Sequence, residues 1–145
     1  MMITYDQMII RLLVSAFLGG MVGIEREAHE KAAGFRTHIL VCLGSCVITL
    51  TSLHLFDMYR GIAPVDPGRV AAQIVSGIGF LGAGTILRHR SSIIGLTTAA
   101  SLWSIAGIGL AVACGLYMVS FFTTLLILAS LLVLREIQPI VTPKK

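Results

Sequence analysis

The sequence predicts an all-α integral membrane protein, a single domain over residues 1–145 with about five transmembrane helices packed through Gly, Ala and Ser faces. Composition is the first reason. The chain is 56% hydrophobic and 12% charged, with a mean hydropathy of +0.91, and a soluble domain of 145 residues cannot cover that much apolar surface. The second reason is segregation: charges fall in short blocks, separated by apolar runs near the ~20 residues that cross the hydrocarbon as a helix. The third is the recurrence of small residues at helical spacing inside those runs, the device by which helices associate in lipid.

The first span is read over 8–24. Its leader "MMITYDQ" has no Lys or Arg, and "GIEREAHEKAAG" offers no good small-x-small cleavage site directly after the apolar core, so the segment reads as a retained span rather than a signal peptide. It carries Gly19 four residues before Gly23, and Ala16 four before Gly20. The second span, 37–55, holds Cys42 and Cys46 on one helix face. Neither a disulfide nor a metal site suits them, and with Cys114 they read as small apolar residues. The third, 70–87, follows Asp66-Pro67, with Asp as N-cap and Pro at the first helical position. The fourth and fifth, 93–114 and 116–134, are divided only by "CGLY", and the bulky fifth reads as peripheral.

Lys and Arg set the orientation. Arg26, Lys31, Arg36, Arg88, Arg90, Arg135, Lys144 and Lys145 share one side of a five-span chain, against Arg60 and Arg69 on the other, with Arg11 just inside the first span. The C-terminus is therefore expected in the cytoplasm and the N-terminus outside.

The stretch "SGIGFLGAG" contains Gly77, Gly79, Gly82 and Gly84 at the spacing of a dinucleotide fingerprint. That motif needs a preceding strand and an acid about 20 residues on, yet no Asp or Glu occurs from Pro67 to Arg135. The glycines read instead as packing residues. Ala72, Ser76, Gly79 and Ala83 make one stripe, and Ala100, Ser104, Gly107 and Ala111 repeat it on the fourth span. Such stripes serve packing within a subunit, a homodimer interface or an unwound helix at a site. Gly77 and Gly84 lie opposite the stripe and make the third helix thin on two sides.

Polar residues gather where spans meet water. Asp66, Arg69 and Gln73 run down one face of the third helix, with Gln73 about 10 Å past the cap and in need of a partner. Thr97, Thr98, Ser101 and Ser104 are the expected partners, and Arg11 is the expected partner of Asp66. The cluster serves either as interhelical glue or as a functional site. On the other side the stretch "GIEREAHEKAAGFRTH" ends at His38, and within it Glu27, His29, Glu30 and Lys31 read as a solvated loop. Glu25, Arg26 and Arg36 abut spans as an ion-paired collar or a contact for protein or lipid headgroups. His54 and His89 read as interfacial.

These observations exclude several functions. The net charge of +4 is scattered at span ends without an aromatic platform, so nucleic acid is not an expected partner. No nucleotide motif or cofactor site is present, and no Ser or Cys has an evident base, so the protein is not expected to be an enzyme. Mg²⁺ favours octahedral oxygen ligands including carboxylates, yet none lies inside a span, leaving Asp66 and the Glu25 cluster as the only electrostatic attractors. A carbonyl-lined path through the Gly-rich third span would make the chain an ion or small-solute channel or secondary transporter. That is the competing class to a regulator.

Three ordered blocks, "GIERE…KAAGFRTHILVCLG", "DPGRVAAQIVSGIGFLGAGTIL" and "GLTTAASLWSIAGIGLA", resemble the MgtC/SapB family of bacterial membrane proteins over residues 8 to 134. The resemblance implies an inner-membrane protein of magnesium homeostasis, associated with adaptation to low magnesium and with virulence through survival inside macrophages. It also implies regulation of the F-type ATP synthase rather than magnesium pumping. The signature residues it implies are Glu25, Arg26, Gly34, Arg36, Thr37, Asp66, Arg69, Gln73, Gly77, Gly79, Gly82, Gly84, Thr97, Thr98 and Trp103. Many relatives carry a soluble C-terminal domain, whereas this sequence stops soon after "LREIQPIVTPKK".

Overall fold

The computed structural model describes residues 3–89 and 92–141, with the side chains of His89 and of 134–141 outside the description. Five helices dominate it: α1 (Tyr5–Ala28), α2 (Phe35–Tyr59), α3 (Pro67–Thr85), α4 (Leu96–Ala113) and α5 (Tyr117–Val141). Helix α4 is the hub, touching α1, α2, α3 and α5. The main core lies among α1, α2 and α4, where Leu18, Val22, Cys42, Cys46, Ile105, Ile108 and Val112 are buried. Helix α3 joins through a smaller contact, with Ile74 and Ile78 packed on Ala106.

Helices α1, α2 and α4 are long and apolar enough to span a membrane, and the described apolar part of α5 runs over Tyr117–Val133. Helix α3 has 19 residues, about 28 Å at 1.5 Å each, but Arg69, Gln73 and its glycines dilute its apolarity. Length suits it to the bilayer; composition makes it the helix most in need of protein contact.

Two expected boundaries move. The third span ends at Thr85 and the fourth begins at Leu96, because Leu87 and Ile93–Ile94 belong to an antiparallel hairpin of β1 (Leu87–His89) and β2 (Ser92–Ile94). Gly95 turns the chain from this hairpin into α4 at φ +91°, where a Cβ would strike the Thr85 carbonyl oxygen. Arg90, Lys144 and Lys145 lie outside the described residues.

The small-residue stripes also need correction. At Gly19 a Cβ would come within 2.9 Å of the His38 carbonyl, and at Gly23 within 2.8 Å of Phe35 Cα, so α1 and α2 do touch through these glycines. At Gly77, Gly79, Gly84 and Gly107 an added Cβ would meet nothing within 4 Å. Ser76 is exposed, Ser104 half-buried, and Gly82 makes only ordinary contact with Ala99. The close approach of α4 is at Gly109, whose added Cβ would strike the Cys42 carbonyl oxygen of α2. Within the chain, therefore, neither stripe is a packing face.

Candidate functional site

Polar side chains collect at both ends of the bundle. Where α1 ends and α2 begins, they form neighbouring groups. Glu25 and Arg26 are buried, with Arg26 Nη1 3.5 Å from Glu25 Oε2 and His29 Nδ1 3.0 Å from Glu25 Oε1. The same His29 nitrogen lies 2.8 Å from the Glu25 carbonyl oxygen, which draws its ring proton there. Glu25 and Arg26 thus pair with each other, and His29 joins them rather than standing in a solvated loop. Arg36 does not: it is exposed, as is Thr37.

Glu27 also departs from the loop reading. It lies in the last turn of α1, and its Oε2 accepts the Phe35 N–H at 2.6 Å, capping α2 from the preceding helix. A carboxylate there satisfies an orphan donor and meets the positive end of the helix. Gly34 makes the room, since a Cβ there would collide with that oxygen. Removing the cap through Glu27→Ala is expected to cost about 1 kcal/mol in thermal unfolding. Gly34→Ala is expected to cost a similar amount in the natural chain and almost nothing in the Glu27→Ala background. Additive losses would show that the two residues act separately.

His38 is wholly buried one turn into α2. Its Nδ1 donates to the Gly34 carbonyl at 2.9 Å, which leaves Nε2 of the neutral ring to accept from Ser101 Oγ of α4 at 3.1 Å. Ser101 Oγ also lies 2.9 Å from the Thr98 carbonyl, so one hydroxyl proton has two acceptors. This link across 63 residues ties α2 to α4 at a depth where unpaired polar groups are costly. The sequence reading gives His38 no partner and sets Thr98 beside Gln73. The only sequence signal for the true pairing was a His and a Ser each near the start of an apolar run.

At the other end, Asp66 caps α3, accepting the Gly68 N–H at 2.8 Å, while Ser52 donates to the Pro67 carbonyl at 3.3 Å. Asp66, Arg69 and Gln73 are all exposed, and none pairs with Arg11. Arg11 instead donates from Nη1 to the Ala113 carbonyl at the end of α4, beside Gly115. The partners expected for Gln73 fail for a geometric reason. Helices α3 and α4 run antiparallel, so Gln73, near the start of α3, lies level with the second half of α4. Thr97, Thr98 and Ser101 open α4 at the opposite end of the bundle. Thr98 and Ser101 are buried, but with His38; Thr97 is exposed.

Two depressions flank α3. One, of about 320 Å³, lies between α3, α4 and α5, with Trp103, Ser104 and Gly107 in its wall. The other, of about 540 Å³, is a groove between α2 and α3 lined by Thr37, Gly44, Ser45, Gln73 and Gly77 among apolar side chains. Among the described residues no group of three His, Cys, Asp or Glu side chains could hold a metal ion.

The sequence profile of the MgtC family matches residues 12–140. The chain is 44% identical over 128 residues to protein MgtC of Salmonella typhimurium LT2, an alignment covering 88% of this chain and 52% of that protein. It is 40% identical over 139 residues to SapB of Bacillus subtilis 168, covering 90% and 60%. It is 39% identical over 133 residues to YhiD of Escherichia coli K12, a protein named as a candidate magnesium transporter, covering 90% and 62%. The chain therefore spans about half to three-fifths of the length of these curated relatives. No solved structure matches it. With a profile match along most of its length and these identities over about nine-tenths of it, the chain belongs to the MgtC family.

Proposed function

We propose that this multi-pass membrane protein is a non-enzymatic regulator in magnesium-linked adaptation, acting by contact with other membrane helices rather than by conducting an ion. The observation that carries this reading is where unpaired polar groups lie. Side chains facing the bundle interior are engaged with one another, His38 with Ser101 and Glu25 with Arg26. The described carboxylates stand in helix end turns or loops, so no acidic path crosses the bundle. Exposed Gln73 and the open glycines Gly77, Gly79 and Gly84 lie on the outer surface of α3, where another helix or lipid can meet them. A membrane complex such as the F-type ATP synthase, the partner implied by the family resemblance, is a target suited to such a face.

The second reading, transport, is favoured by the name of YhiD and by the groove between α2 and α3, whose lining includes Thr37, Ser45 and Gln73. Purified protein in proteoliposomes loaded with a magnesium-sensitive dye separates the two. A regulator leaves Mg²⁺ entry at the rate of protein-free vesicles. Entry well above that rate, abolished by Asp66→Ala, would establish transport and overturn the contact reading.

A further inference from the structure

Helix α3 buries one narrow line, Ile74, Ile78 and Gly82. Asp66, Arg69, Gln73, Gly77, Phe80 and Gly84 follow each other at intervals of three and four and fall within a wedge of about 80° at 3.6 residues per turn. All six are exposed, Phe80 at 82%. This face is distinct from the Ala72–Ser76–Gly79–Ala83 stripe and borders the groove toward α2.

We propose that this face pairs with the same face of a second copy of the chain, side by side in the membrane, with Asp66 of each copy against Arg69 of the other. The proposal rests on the reading that the protein works through helix contacts, and it adds the identity of one partner. Charge complementarity carries it. Asp66 and Arg69 are opposite in sign and one turn apart, and neither has an ion-pair partner among the described residues. A two-fold axis along the membrane normal sets the two helices parallel, and the pair then becomes its own complement. A different target would have to supply the same two charges at the same offset.

The remainder of the face is also self-complementary. Gln73 carries a donor and an acceptor on one amide and can bond its own mate, whereas facing hydrocarbon it would bond nothing. Gly77, one turn further, leaves open space for close approach, as does Gly44 across the groove. Phe80 then has a neighbouring helix to cover its ring.

Cysteine crosslinking in intact membranes tests this, using the full chain with Cys114→Ser, since Cys42 and Cys46 are buried. Gln73→Cys and Phe80→Cys should oxidise to covalent dimers several-fold more than Val75→Cys, which is exposed on the opposite side of α3. Arg69→Asp leaves the Asp66 cap in place and should lower the Gln73→Cys dimer several-fold, as should Asp66→Arg. The combined exchange of both should restore it. Equal crosslinking at Val75→Cys, or failure of the combined exchange to restore the dimer, overturns the pairing. Crosslinks from Gln73→Cys to a different membrane protein alone would overturn the second-copy partner and leave the contact reading standing. Absence of any crosslink, together with Mg²⁺ entry in vesicles, would overturn both.

Discussion

Gly109→Ala is expected to destabilise the protein by about 1–3 kcal/mol, the range for forcing a methyl group into a packed interior. Gly107→Ala, two residues away, is expected to be neutral or to stabilise by about 0.5–1 kcal/mol, because Ala is the better helix former. The difference is where each Cβ would go. At Gly109 it would strike the Cys42 carbonyl oxygen and come within 3.1 Å of Ser45 Cβ, so α2 and α4 must part along the main core. A backbone oxygen fixed in a helix cannot swing aside as a side-chain end can. At Gly107 nothing lies within 4 Å. Unfolding of both variants in detergent, followed by circular dichroism, checks the contrast. Equal midpoints for the two variants would mean that α2 and α4 do not approach at Gly109.

That contrast also shows what periodicity could and could not reveal. On α1 the pair Gly19 and Gly23 stands out against bulky Phe17, Leu18 and Val22, and it does mark the contact with α2. On α4 small residues occur on every side, at Ala100, Ser104, Ala106, Gly107, Gly109, Ala111 and Ala113, so spacing alone could not choose among faces. Burial chose the face holding Leu102, Ile105, Ile108, Gly109 and Val112, which leaves Gly107 outward. Composition located the spans but not their ends, because Ile93 and Ile94 are equally apolar in a helix and in a hairpin strand. Capping chemistry did better. Asp66-Pro67 marked the start of α3, since both preferences are local. The pairs that cross the bundle, His38 with Ser101 and Arg11 with Ala113, were hidden because they depend on which helices become neighbours.

Arg11 and Asp66 looked like partners, and the structure gives them opposite expectations. Asp66→Asn should leave the unfolding midpoint of the isolated chain within about 0.5 kcal/mol of the parent, because Asn caps a helix almost as well and no ion pair is lost within the chain. Arg11→Met should cost about 1.5–3 kcal/mol, the usual worth of a hydrogen bond to a charged group. Its guanidinium is the donor to the Ala113 carbonyl, one of the last of α4, at the negative end of that helix. Gly115, at φ +81°, turns the chain into α5 where an added Cβ would lie 3.3 Å from the same guanidinium, so the contact also steadies the α4–α5 turn. Two terms oppose this. Arg11 Nε is buried without a hydrogen-bond partner, and a cation inside the bilayer boundary costs energy that Met would not. At about 10 Å from the start of α1 the side chain can still reach toward the interface, which keeps that cost below its midplane value. The hydrogen bond and the helix end are therefore expected to win. Faster amide exchange in the α4–α5 turn of Arg11→Met, alongside a lower midpoint, would confirm that the arginine is a strut. An unchanged or raised midpoint would instead make it a charge carried at a cost to the fold, and would move Arg11 to the head of the candidates for function.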